Sequence, residues 1–133
     1  VAVVCEVEAG QTIKLCHVWA SVDVGRVISP DGVRAQIEGG IIQSASWTLK
    51  ERVLVEDDGS QVFGWEDYPT LPFSEIPPIN VNILERNDLS PVGAGEGAQG
   101  PTSAAIANAL YSALGVRVRH LPLTPDEVTR AMQ

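Results

Sequence analysis

Basic residues are scarce in this chain of 133 residues: nine lysines and arginines stand against seventeen aspartates and glutamates, for a formal net charge of −8 and a pI near 4.6. A field of that sign repels a phosphate backbone and argues against nucleic-acid binding. Cysteine occurs only twice, too few for a disulfide framework, an iron–sulfur cluster or a self-contained structural zinc site. No apolar run is long enough to span a bilayer. The opening residues, VAVVCEVE, carry neither a basic leader nor a cleavage signature. They read as a strand already under way with no initiator methionine, which points to a processing or cut site and to a domain belonging to something larger.

Hydrophobic residues make up 44% of the chain, enough for one compact domain with a core of its own. VAVVCEVE and TIKLCHVWASVDVG, rich in β-branched residues and bounded by turn formers, predict two strands. A turn at Gly10-Gln11 that pairs Ala9 with Thr12 sets Cys5 opposite Cys16, either as a redox pair or, the reading preferred here, as two small buried hydrophobes. Along the second strand Ile13, Leu15, His17, Trp19, Ser21 and Asp23 share one face, and Cys16, Val18, Ala20, Val22 and Val24 share the other. The second set is apolar and should lie on the core. His17, on the mixed face beside Trp19, reads as a structural hydrogen-bonder rather than a ligand.

Ser29-Pro30-Asp31-Gly32 has the form of a helix start: a serine cap, proline in the first turn and an acid at the positive end of the dipole. The helix should run to about Arg52. Val33, Ile37, Ile41, Ala45 and Thr48/Leu49 recur at helical spacing as its buried face, and Gln36, Gly40, Gln43 and Trp47 form a second line. Glycine in mid-helix costs about 1 kcal/mol relative to alanine. Gly39 and Gly40 therefore call for a neighbour that comes very close, either another backbone or a bound ligand.

Beyond this helix, RVLVE and QVFGW predict a hairpin around Asp57-Asp58-Gly59-Ser60, with Glu56-Asp57-Asp58 as a solvated acidic turn rather than a metal site. Residues 68–78 form a proline-punctuated extended crossing, and Ile79 to Glu85 alternate as a half-buried strand. PTSAAIANALYSALG predicts a second long helix, opened by Pro101, closed by Gly115, and buried along Ile106, Leu110 and Leu114. VRVRHLPL reads as a short final strand, and Thr124 caps a terminal helical turn. The order β-β-α-β-β-β-α-β predicts an α+β fold, with the two main helices on one face of a mostly antiparallel sheet.

Between strand and second helix lies GAGEGAQG, residues 93–100. Gly95, Gly97 and Gly100 formally fit a dinucleotide fingerprint. However, no strand runs directly into Gly95, no ribose-binding acid follows about 20 residues later, and Glu96 projects where a pyrophosphate would sit. The dinucleotide reading fails. What remains is a carboxylate on a loop that can approach a ligand, just before a helix N-terminus whose dipole favours the ionised form. It is either a general base or a surface acid of capping type.

Three stretches taken together, DGVRAQIEGGIIQSASWTL, VGAGEGAQGPTSAAIANALYSALG and VRVRHLPL, resemble the molybdopterin-binding large subunit of the xanthine dehydrogenase and aldehyde oxidase family, in particular its bacterial isoquinoline 1-oxidoreductase type. The resemblance covers nearly the whole chain. Family subunits are several times longer, so residues 1–133 are expected to be a single C-terminal molybdopterin-binding domain or fragment. The resemblance implies that Glu96 is the general base of a hydroxylation at molybdenum, and that Gln43 packs against the pterin. It also implies that Gly95 lets backbone approach the cofactor; Asp23 and the SPDG turn match a family segment too, and are read as structural. Where the family often has proline after the glutamate, this chain has Gly97.

The implied substrate is an aldehyde or N-heterocycle, with water as the oxygen source. The implied cofactor is molybdenum–molybdopterin in its cytosine dinucleotide form. Iron–sulfur clusters belong to a partner region, the remainder of the subunit completes the site, and the compartment is the cytoplasm or, alternatively, the periplasm. The isolated chain is then expected to be inactive. The competing expectation is a non-catalytic scaffold or assembly module derived from the same family.

Overall fold

A computed structural model describes residues 1–55, 57–59, 64 and 66–133. Three strands, β1 (Ala2–Ala9), β2 (Ile13–Asp23) and β3 (Ile79–Leu84), form one sheet in the order β1-β2-β3. The helices are α1 (Pro30–Leu49), α2 (Gln99–Leu114) and α3 (Pro125–Ala131), with one turn of 3-10 helix at Phe73–Glu75. The fold is α+β, as the sequence predicts. Its sheet is mixed: β1 and β2 are antiparallel, whereas β2 and β3 run parallel. The long crossover through α1 makes parallel pairing possible, since a parallel neighbour cannot be reached by a tight turn.

The hairpin does not pair as its turn residues suggest. Gly10 N–H donates to the Thr12 carbonyl (3.0 Å), so the loop holds one residue more and Ala9 faces Ile13. The register then slips between Glu6 and Val7, and Cys5 faces Val18 rather than Cys16. Cys16 is the extra residue of a β-bulge, and both cysteines are free. The bulge also swaps which side chains face inward. Leu15 is buried before it, and Val18, Ala20, Val22 and Val24 after it. The predicted core face therefore holds from Val18 onward and fails at Cys16.

Those β2 residues join Ile37, Ile41 and Ala45 of α1 and Ile106 and Leu110 of α2 in one core cluster, which places both long helices on the same side of the sheet. α1 begins as expected, with the Ser29 hydroxyl accepting from Gly32 N–H, but ends at Leu49, three residues short of Arg52. α2 starts at Gln99, two residues before Pro101, and closes at Gly115 with φ +71°. On the opposite side of the sheet, His17 stacks on Trp19 (centroids 4.1 Å apart, planes 7° apart). His17 Nε2 also bonds Asn80 Oδ1 at 2.5 Å, the structural role predicted for it.

The predicted final strand at residues 116–123 is irregular chain. Its valine–arginine alternation has another origin: Arg117 folds back onto α2, donating to Asn108 Oδ1 (2.7 Å) and lying 3.9 Å over the Tyr111 ring. Leu123 N–H then donates to the Thr48 carbonyl at the end of α1 (2.7 Å). Thr124 caps α3, accepting from Glu127 N–H. The second predicted hairpin lies mostly outside the described residues. Within them, Arg52–Leu54 are not strand, and Asp57 and Asp58 form an exposed turn into Gly59. Residues 69–78 are neither strand nor α-helix, with one 3-10 turn at Phe73–Glu75 flanked by extended Pro72 and Ile76. No helix among the described residues is long and apolar enough to cross a membrane.

Candidate functional site

The glycine-rich stretch is tied down at both ends. On its incoming side Arg26 N–H donates to the Leu89 carbonyl (3.2 Å) and Val92 N–H to the Val24 carbonyl (2.9 Å). Residues 89–92 therefore run along the exit of β2. Gly25 permits that approach: its φ is +66°, and a Cβ built on it would lie 2.1 Å from the Ser90 carbonyl oxygen. Asp23 steadies the same corner by accepting from Gly25 N–H at 2.9 Å.

On the outgoing side Gln99 N–H closes a turn onto the Glu96 carbonyl (3.2 Å), and the buried Ser44 hydroxyl donates to the Gln99 carbonyl (2.7 Å). Gly40 faces this junction, where a Cβ would sit 3.4 Å from Ala98 Cβ and 3.6 Å from Gln99 Cγ. Gly39, its neighbour, would meet nothing within 4 Å. Of the two glycines expected to have a close neighbour, only Gly40 finds one within the chain.

Glu96 is exposed at the head of this turn, and among the described residues no hydrogen-bond donor or cation meets its carboxylate. Gln43 and the glycine loop are brought together through Gln99, whose Nε2 donates to Gln43 Oε1 at 2.7 Å. Gly95 lies beside Gln36, whose Oε1 is 3.9 Å from the Cβ position. A shallow pocket of about 340 Å³ separates the loop from the start of α1, lined by Val24, Gly32, Val33, Gln36, Ala94 and Gly95. Glu96 lies outside that lining. A larger groove of about 430 Å³ opens on the far face of the sheet, around Val4, Trp19 and Asn80, with no carboxylate among its lining residues.

The family resemblance directs Glu96, Gln43 and Gly95 toward one cofactor but says nothing of Gln99, which bonds both the Glu96 carbonyl and the Gln43 side chain. It also missed the hydroxyls of Ser44, Thr48 and Ser103 that meet between α1 and α2. The available signal was a pair of small hydroxyls, Ser44 and Thr48, one turn apart on an otherwise apolar helix face.

Beside Glu96 the chain is mixed in character: Val1 Cγ2 lies 3.1 Å from the Cβ position of Gly97, whereas other glycines of the helix and loop are open. Cβ atoms at Gly39, Gly93 and Gly100 would meet nothing within 4 Å. α2 begins without a side-chain cap and without an acid in its first turn.

Residues 1–77 match the molybdopterin cofactor-binding domain. A nicotinate dehydrogenase subunit from Pseudomonas putida is 46% identical over 110 residues, which is 83% of this chain and 9% of that protein. The beta subunit of isoquinoline 1-oxidoreductase from Brevundimonas diminuta is 41% identical over 128 residues, 94% of this chain and 16% of that one. In structure, quinoline 2-oxidoreductase from Pseudomonas putida 86 superposes with a TM-score of 0.81 at 32% identity, over 91% of this chain and 16% of its own. The chain thus spans between 9% and 16% of the length of these relatives.

Proposed function

Because the chain belongs to the molybdopterin cofactor-binding domain family, we propose that residues 1–133 are the C-terminal portion of a molybdenum hydroxylase subunit, in which Glu96 is the general base. The bound molybdenum–molybdopterin, in its cytosine dinucleotide form, supplies two-electron oxidation of an aldehyde or N-heterocycle with water as the oxygen source. The remainder of the subunit and an iron–sulfur region complete the assembly, so the isolated chain is inactive.

One observation carries this reading: an exposed carboxylate, unpaired among the described residues, stands on a glycine loop anchored at both ends and joined through Gln99 to Gln43. A general base must have a free lone pair within hydrogen-bond reach of the proton it takes, and a flexible loop could not keep it there. Glu96 accepts the proton that must leave when oxygen adds to the substrate carbon. Gln43 and the backbone at Gly95 would hold the cofactor's polar edge, and Gly39, whose own backbone groups are used within α1, would keep a side chain out of its way.

The test is Glu96→Gln in the assembled enzyme, which preserves shape and removes basicity. Turnover should fall by roughly 10²- to 10⁴-fold while molybdenum content stays at the wild-type value. Turnover within twofold of wild type would refute the general-base role and leave a scaffold.

A further inference from the structure

The interface between α1 and α2 carries a hydroxyl chain inside an apolar core. Ser44 and Thr48 are fully buried, and Ser103 faces both from α2. Four hydrogen bonds connect the group: Ser44 Oγ to the Gln99 carbonyl at 2.7 Å, Ser44 Oγ to Ser103 Oγ at 3.0 Å, Thr48 Oγ1 to Ser103 Oγ at 2.6 Å, and Trp47 Nε1 to Ser103 Oγ at 3.2 Å.

Their direction follows from counting hydrogens. A carbonyl only accepts, so the single hydrogen of Ser44 goes to Gln99. Ser44 must then accept from Ser103, whose own hydrogen is thereby used. The two remaining lone pairs of Ser103 receive the Trp47 indole N–H, which only donates, and the Thr48 hydroxyl. Every hydroxyl is satisfied, and the chain points one way: Thr48 to Ser103 to Ser44 to Gln99. It ends three residues after Glu96, at the residue whose side chain holds Gln43.

We propose that Ser103 is a positioning residue that sets the register of α2 against α1 and thereby fixes the Glu96 loop. This rests on the general-base reading. Apolar helix faces tolerate small slides, whereas a fully used set of directional bonds admits one register. A base works only when its oxygen sits about 2.6–3.2 Å from its partner, so a small slide of α2 would uncouple it.

The experiment compares wild type, Ser103→Ala, Ser44→Ala and Ser103→Thr in the assembled, molybdenum-loaded enzyme. Hydrogen exchange is read peptide by peptide, alongside kcat, KM and molybdenum content. Ser44→Ala cuts two links, to the Gln99 carbonyl and from Ser103, and leaves Trp47 and Thr48 bonded to Ser103, so it covers the case in which Ser103→Ala does not fold. Either alanine variant should speed exchange across residues 96–103 by about tenfold and leave β1 and β2 unchanged. kcat should fall with KM and molybdenum steady, and Ser103→Thr, which keeps the hydroxyl, should restore both. Unaltered exchange at residues 96–103 overturns the proposal, as does a rise spread evenly over the whole chain. The two readings fail separately: full turnover in Glu96→Gln removes the general base and leaves the exchange result standing, whereas flat exchange removes the positioning role whatever Glu96→Gln does.

Discussion

Gly39 and Gly40 are adjacent in one helix but have opposite surroundings, and alanine at each should report them separately. Gly39 is exposed, with nothing within 4 Å of an added Cβ. Alanine there loses no contact and gains the helix propensity that glycine lacks, about 0.8–1 kcal/mol. For a chain of this size that corresponds to a rise of about 3–5 °C in Tm. At Gly40 the Cβ would come to 3.4 Å from Ala98 Cβ, ordinary contact, so alanine should also be tolerated. Valine would push its extra methyls into Ala98 and Gln99 and cost about 1–3 kcal/mol.

The decisive comparison is Gly39→Ala with and without cofactor. If the pterin lies over the bare backbone at Gly39, the substitution stabilises the cofactor-free chain but lowers the molybdenum retained by the assembled enzyme. Thermal melts of the chain and metal analysis of the enzyme read the two effects, which have opposite signs. A lower Tm for Gly39→Ala would refute the open surface. Full molybdenum content in the assembled variant would refute a cofactor contact at Gly39.

Two further perturbations test the frame that carries the site. Gly25→Ala must take φ +66° and clear the Ser90 carbonyl at 2.1 Å, a loss of about 2–4 kcal/mol. A urea midpoint showing less than about 1 kcal/mol would mean that the β2 exit does not pin the loop. At Cys5, burial pushes the thiol from its ordinary 9.0 up to about 11. Iodoacetamide at pH 8 should therefore label it about 100-fold more slowly than an unperturbed thiol. Because the folded-state value is the raised one, the stability this thiol contributes is complete below pH 9.0 and is lost as pH rises towards about 11. Labelling at the rate of the denatured chain would contradict the burial.

What could be read from the residues was local. The Ser29 cap, the Gly115 stop and the Thr124 cap each depend on a few neighbouring side chains, and each marks its helix end to within a residue. The bulge at Cys16 was not legible. The extra residue sits in the middle of an apolar run, where either inward set looks plausible until the Ala9–Ile13 pairing fixes the start. Parallel pairing of β2 with β3 was hidden for a related reason: a half-buried strand alternates in the same way whichever direction its neighbour runs. At residues 116–123 the alternation was real, but Arg117 was reaching for Asn108 and Tyr111, not for solvent beside a strand.

The same distinction holds inside the candidate site. Glycine can be read because it marks a place where side chains must be absent, and Glu96 because it stands among glycines with no basic residue in the stretch 93–100. Gln99, Ser44 and Ser103 are ordinary surface and helix residues until α1 and α2 are docked, since the partner each hydroxyl chooses depends on interhelical register. Motif resemblance therefore identifies the two ends of the arrangement, Gln43 and Glu96, and passes over the chain of bonds between them. A relative that keeps GEG and GGIIQ but replaces Ser44 and Ser103 with alanine would match the motif equally well. It would keep the backbone anchors of the loop but lack the hydroxyl link from α1 to Gln99, and so motif and the proposed positioning can be separated by experiment.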